Sequence, residues 1–143
     1  EWSSELLPAD AQGWDWIGIN LDDGSALMAF RMRGHSVPAL WAAATYRAAD
    51  GSVQTFAPEA IDFVATRQWR SPRTAIGYPV EWRLRVGQRS FVLQTLLDDQ
   101  ELDSRRSTGA IYREGAVRLL EGGRELGRGY LEMTGYGKPI RVG

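Results

Sequence analysis

There is no cysteine among the 143 residues of this chain. Disulfides, thiolate metal sites and a cysteine nucleophile are therefore excluded. Histidine is almost as scarce: His35 stands alone, in the loop-like run Gly34-His35-Ser36-Val37-Pro38. No Gly-x-Ser-x-Gly elbow accompanies it, so a serine triad lacks its usual setting. A metal would have to rest on carboxylates, and Asp98-Asp99-Gln100-Glu101 lacks the spacing of a calcium loop. No glycine-rich phosphate loop is present. Neither a metal nor a cofactor is expected. Lys138 is the sole lysine, so arginine carries the basic charge; arginine suits fixed ion pairs and stacking on rings. The net charge of −1 offers no pull on nucleic acid or on an anionic membrane. No apolar run approaches the roughly 20 residues of a membrane span, so no transmembrane segment is expected.

What the chain does contain is eight alternating or apolar stretches, each cut off by a turn signal. They run Trp14–Leu21, Ala26–Arg33, Pro38–Arg47, Ile61–Trp69, Val80–Val86, Ser90–Leu97, Thr108–Leu120 and Arg124–Thr134. The separators include Asp22-Asp23-Gly24, Asp50-Gly51-Ser52, Gly87-Gln88 and Gly122-Gly123. Hairpin spacing of this kind predicts an all-β, eight-stranded antiparallel meander. Such a meander can close into a barrel around one small ligand. The length suits one domain, read as a lead-in over residues 1–13, a barrel over 14–136 and a tail over 137–143.

Two hairpins allow faces to be inferred. A three-residue loop Asp22-Asp23-Gly24, with Gly24 left-handed, pairs Asp15 with Arg31 and Trp16 with Phe30. It puts Trp14, Trp16, Asn20, Met28, Phe30 and Met32 on one face; a two-residue loop gives the opposite faces, and the first is preferred because it pairs opposite charges and clusters aromatics. Ile17, Ile19, Leu21 and Leu27 then point outward, and an apolar outer face calls for a covering domain or partner. A two-residue loop at Gly122-Gly123 sets Arg113 opposite Glu132, Glu114 opposite Leu131 and Tyr112 opposite Met133. Tyr112, Glu114, Ala116, Leu131 and Met133 then line the lumen. A slip of one residue reverses every one of these assignments.

The candidate site follows from those faces. Glu114, with Tyr112, is the candidate catalytic pair. A carboxyl among apolar neighbours has a raised pKa and can protonate an alkene or carbonyl. The alternative is a structural buried glutamate held by an arginine or tyrosine. The candidate binding surface for an apolar small molecule is Trp14, Trp16, Asn20, Met28, Phe30, Leu131 and Met133. The tryptophans, Trp41, Trp69 and Trp82 included, serve equally well as core filling.

Several segments together resemble one family: Gly13-Trp-Asp-Trp16, Leu21-Asp-Asp-Gly24, Trp69-Arg-Ser-Pro72, Tyr78-Pro-Val-Glu-Trp82, Leu97-Asp-Asp-Gln-Glu101, Tyr112-Arg-Glu-Gly115 and Gly129-Tyr-Leu-Glu132. In order and coverage this is similar to the C-terminal domain of the hydroxyneurosporene synthase-like (carotenoid 1,2-hydratase, AttH-like) family. The resemblance implies a lipocalin-like barrel and a family N-terminal lipocalin-like domain as partner, outside these 143 residues, with a ligand cavity near the junction. It implies an apolar polyene, terpenoid or lipid-like ligand, and a hydratase or isomerase rather than a serine or metallo-hydrolase. By the same resemblance the compartment is the bacterial envelope, or the protein is secreted. A non-catalytic structural or carrier module is the third reading.

Overall fold

The computed structural model describes residues 8–138. Ten strands follow one another: β1 (Ala11–Leu21), β2 (Ala26–Gly34), β3 (Trp41–Arg47), β4 (Val53–Phe56), β5 (Ile61–Arg70), β6 (Gly77–Val86), β7 (Arg89–Thr95), β8 (Glu101–Ser104), β9 (Ala110–Glu121) and β10 (Arg124–Met133). One 3₁₀ turn, Pro58–Ala60, precedes β5. All eight expected stretches form strands. β4 and β8 were not expected, because each is four residues long and mostly exposed, with no apolar stripe to betray it.

The strands make a single antiparallel sheet in the order β4-β3-β2-β1-β10-β9-β7-β6-β5, with β8 pairing the far end of β9. The sheet curls into a lipocalin-like half-barrel. Its two ends do not pair with each other among the described residues, so the expected full closure is not reached and β4 and β5 remain edges. Arg31 of β2 reaches part of the way across, donating from Nη1 to the Phe63 carbonyl of β5 at 3.0 Å. Edge strand β5 is exposed from Val64 to Gln68, where the alternation of its burial fails.

Local chemistry explains the turns. Asp23 Oδ1 accepts from the Ser25 N–H at 2.8 Å and from its hydroxyl at 2.5 Å. Asp50 does the same for Ser52 at 2.9 and 2.6 Å. The intervening Gly24 and Gly51 both have φ near +88°, at +88° and +87°, a region that side chains disfavour. Two Asp-Gly-Ser turns thus start two hairpins by one device. Along β9, a gap between β7 and β8 is bridged by a side chain. Gln100 Oε1 accepts from the Ala116 N–H at 2.7 Å, and it fits because Gly115 has no Cβ.

The core fills the concave side. Ile17, Ile19, Leu21, Ala29, Leu84, Leu93, Val117, Leu119 and Leu131 are essentially inaccessible there. Burying each large aliphatic chain stabilises the fold by about 1.5–3 kcal/mol.

Candidate functional site

The first hairpin has the expected register: Asp15 faces Arg31 and Trp16 faces Phe30. Its faces are the reverse of those expected. Asp15, Ile17, Ile19 and Leu21 are buried on the concave side, whereas Trp14, Trp16 and Asn20 lie on the convex side. On β1 the aliphatic chains fill the interior, and the two indoles, which carry a polar N–H, take the half-exposed outer face. Asp15 and Arg31 pair as expected, but on the buried face.

The second hairpin differs in register. It begins as expected, with Arg124 opposite Glu121 and Glu125 opposite Leu120, but a bulge at Leu126 then shifts the pairing by one residue. Beyond it Arg113 faces Met133, Glu114 faces Glu132 and Gly115 faces Leu131. One extra residue flips every later side chain. Glu114 and Tyr112 therefore lie on the convex face, partly exposed, not in an apolar lumen. Arg113 takes the interior position, 0% exposed. Leu131 and Met133 do face inward, also at 0%.

The expected site residues thus divide between two faces. On the convex side β-pairing sets Glu114, Glu132, Trp16 and Phe30 in one transverse row. Trp14 Nε1 donates to Glu132 Oε1 at 2.6 Å. Burial, and then the Glu132 charge, raise the Glu114 pKa. Phe30 packs on Trp41 with ring centroids 5.5 Å apart. The Trp16 indole lies across Gly18, where a Cβ would meet it at 2.7 Å. Beside it runs a shallow open groove of about 410 Å³, lined among others by Trp16, Asn20, Met28 and Arg47.

On the concave side a buried polar cluster joins β1, β2 and the turn after β10. Asp15 and Arg31 were paired in the sequence reading, but no member of the cluster was a candidate site residue. Asp15 Oδ2 accepts from Arg31 Nη2 at 2.6 Å and Nε at 3.1 Å, and Arg33 Nε lies 3.2 Å from it. Asp15 Oδ1 accepts from the Tyr136 hydroxyl at 2.7 Å. Burial, then the Asp15 carboxylate, hold the Tyr136 phenol well above its ordinary range. Tyr136 is therefore a neutral donor at physiological pH. The arginines are stacked as well as paired. Arg31 lies 5.2 Å from the Phe63 ring centroid and 5.3 Å from that of Trp82, and Arg33 lies 3.9 Å from that of Tyr136. Such contacts favour a cation in a dry setting.

Tyr78 continues the cluster. Its ring is 5.8 Å from Tyr136 and 6.2 Å from Trp69. Arg113 lies in the same interior row as Asp15, two strands away, or about 10 Å by strand spacing. Its Nη2 donates to the Leu97 carbonyl at 2.9 Å and the Asp98 carbonyl at 3.0 Å, and its Nε to Asp98 at 3.1 Å. Burial pulls the guanidinium down to about 10. Four buried side-chain donors of this region make no well-formed hydrogen bond: Arg33 Nε, which lies 3.2 Å from Asp15 Oδ2, the Tyr78 hydroxyl, which has the Glu101 carboxylate beside it, Trp82 Nε1 and Arg113 Nη1. Buried donors are normally satisfied, so Trp82 Nε1 and Arg113 Nη1 stand out as two without an acceptor. The signal for Arg113 and Tyr136 in the sequence was slight. One stands beside Glu114 behind an unmarked bulge, and the other sits in a Gly-Tyr-Gly tail.

Comparison with known proteins agrees with this architecture. A family model described as AttH-like matches residues 1–136. An AttH-like protein from Nitrosomonas europaea, known from a crystal structure, is 52% identical, with a TM-score of 0.90 over 94% of this chain. Kievitone hydratase from Nectria haematococca is 19% identical, with a TM-score of 0.69 over 93% of this chain, a likeness of fold alone. The chain spans 42% of the length of each of those solved chains. No curated protein matches it. No helix among the described residues is long and apolar enough to cross a membrane.

Proposed function

This chain belongs to the AttH-like family, and from that footing we propose that it is the ligand-binding lipocalin-like half of a hydratase-like protein. Its ligand is an apolar small molecule of polyene, terpenoid or lipid-like character. The seat is the half-barrel interior, and the observation that carries this reading is the pair of buried donors without an acceptor, Trp82 Nε1 and Arg113 Nη1, beside aromatic walls. Apolar area removed from water supplies the affinity, at about 25 cal/mol per Å² before ordering costs. The donors fix the orientation of the ligand, as sparse polar groups do in largely apolar sites. Asp15, clamped by Arg31 and Arg33, holds Tyr136 in place.

The convex aromatics have a different part. Trp14, Trp16, Met28, Phe30 and the exposed Trp41 form a face that the rest of the polypeptide covers, that is, the family's N-terminal lipocalin-like domain. Relatives more than twice as long fit this partner. A second reading follows from the raised pKa of Glu114 beside Glu132. In a covered junction, Glu114 is the general acid of an acid-catalysed hydro-lyase with Tyr112 as its neighbour, working at the junction and not in the lumen.

Retinol, a neutral polyene, tests the principal reading by quenching of tryptophan fluorescence. Saturable one-to-one quenching with a Kd on the order of micromolar is expected. It should weaken in Trp82→Phe and persist in Glu114→Gln. Unsaturable quenching contradicts the reading. Loss of alkene hydration by the full-length protein in Glu114→Gln, with retinol binding intact, favours the second reading.

A further inference from the structure

Within the sheet there is a seam that no ladder closes. Among the described residues, pairing of β6 with β7 stops at Glu81 opposite Gln94, so residues 77–80 of β6 have no paired strand on that side. The place of β7 is taken there by β8, which pairs only with β9. Side chains span the interval instead of backbone. Glu101 of β8, its side chain 1% exposed, accepts from the Ser71 and Thr74 hydroxyls, each at 2.7 Å. Both hydroxyls belong to the β5–β6 connection, residues 71–76. Farther out, two guanidinium forks clasp the β7–β8 connection, residues 96–100. Arg67 of β5 holds Asp98 at 2.7 and 2.9 Å, and Arg73 holds Asp99 at 2.7 and 2.5 Å. Behind the seam stand Tyr78 and Val80, 1% and 0% exposed. The next residue on the same face of β6 is Trp82, whose Nε1 has no acceptor.

We infer that the seam between β6 and β8 is the gate to the half-barrel interior, opening when the Arg67–Asp98 and Arg73–Asp99 pairs break and the two connections part. The inference rests on the ligand-binding reading above and adds the route of entry and its control by ionic strength. Exposed ion pairs contribute little each and are screened by salt, so this closure is weaker than a backbone ladder. The closed connection also holds Ala75 at φ +60°, a conformation that a Cβ disfavours and that opening relieves. The gap between the two edges of the sheet is sealed differently. There Phe63 of β5 is buried and its carbonyl accepts from Arg31, which faces Ala42 of β3.

The test compares thiol labelling under native conditions at three buried positions: Val80→Cys behind the seam, Ala42→Cys beside the other gap and Val117→Cys in the core. Local opening should label Val80→Cys fastest, with little dependence on denaturant. Arg67→Gln with Arg73→Gln should raise that rate about fivefold and leave the other two positions unchanged. Added salt should act in the same direction on the parent sequence, which needs no arginine variant to fold. Retinol should associate and dissociate faster in the double arginine variant, with its Kd nearly unchanged. One common labelling rate at all three positions, set by global unfolding, overturns the inference. Faster labelling at Ala42→Cys than at Val80→Cys also overturns it, by placing the entrance at the other gap. So do unchanged retinol kinetics when labelling at Val80→Cys rises. Selective labelling at Val80→Cys without any retinol binding supports the opening and overturns the ligand-binding reading alone.

Discussion

Asp15 and Trp16 are consecutive residues of one strand, and between them they divide the molecule. Asp15 looks into the half-barrel, is wholly buried, and meets two arginines and a phenol. Trp16 looks outward, half-exposed, over Gly18 and beside the carboxylate row of Glu132 and Glu114. The concave face thus mixes aliphatic filling with a few charges fixed in place. Both faces carry aromatics: Phe63, Tyr78, Trp82 and Phe91 are buried on the concave side, and Trp14, Trp16 and Phe30 are partly exposed on the convex side. Hydrophobicity alone does not separate the faces. What separates them is closure to water: the concave side chains are wholly buried, whereas the convex ones keep part of their surface in solvent.

That difference sets the expected size of each substitution. Asp15→Ala should be the most damaging, at about 3–5 kcal/mol, because it strands Arg31 and Arg33 without a counter-charge. Denaturant unfolding measures this, and a loss below about 1 kcal/mol would mean the cluster is wet. Next comes a pair from adjacent positions of β1. Ile17→Ala should cost about 2–4 kcal/mol by leaving a core cavity. Trp16→Ala should cost no more than about 1 kcal/mol in the isolated chain. Equal costs would erase the distinction between the faces.

Glu114 gives a smaller, pH-dependent effect. Its pKa is raised in the folded chain by burial and then by Glu132. The folded chain therefore holds that proton more tightly than the unfolded one. The contribution to stability is complete below the ordinary glutamate range and is lost as pH rises through the raised value. Glu114→Gln should accordingly be more stable than the parent near neutrality, and the advantage should vanish below about pH 4. An advantage that grows on acidification contradicts the convex pairing with Glu132. The smallest effect is expected at the exposed Arg85–Asp62 pair, 2.6 Å apart. Arg85→Ala should change stability by no more than about 0.5 kcal/mol.

Much of the fold was legible in the sequence, because turns announce themselves. Asp-Asp-Gly-Ser and Asp-Gly-Ser carry both the side-chain acceptor and the glycine that their geometry needs. The register of the first hairpin followed from the opposition of Asp15 and Arg31. The faces did not follow, because both are apolar on β1: Trp14 and Trp16 compete with Ile17 and Ile19. The bulge at Leu126 carries no comparable signal, since an extra residue between Glu125 and Gly127 looks like ordinary strand. That one residue moved Glu114 out and Arg113 in, and it hid the interior cluster.

Because the chain has no cysteine, a single introduced thiol reports its own surroundings. The rate of thiol labelling in Glu114→Cys and in Val117→Cys, two residues on opposite faces of β9, tests the account most directly. The account predicts rapid labelling at 114 under native conditions and, at 117, labelling only on unfolding. Protection at 114 with ready labelling at 117 would restore the unbulged register and contradict it.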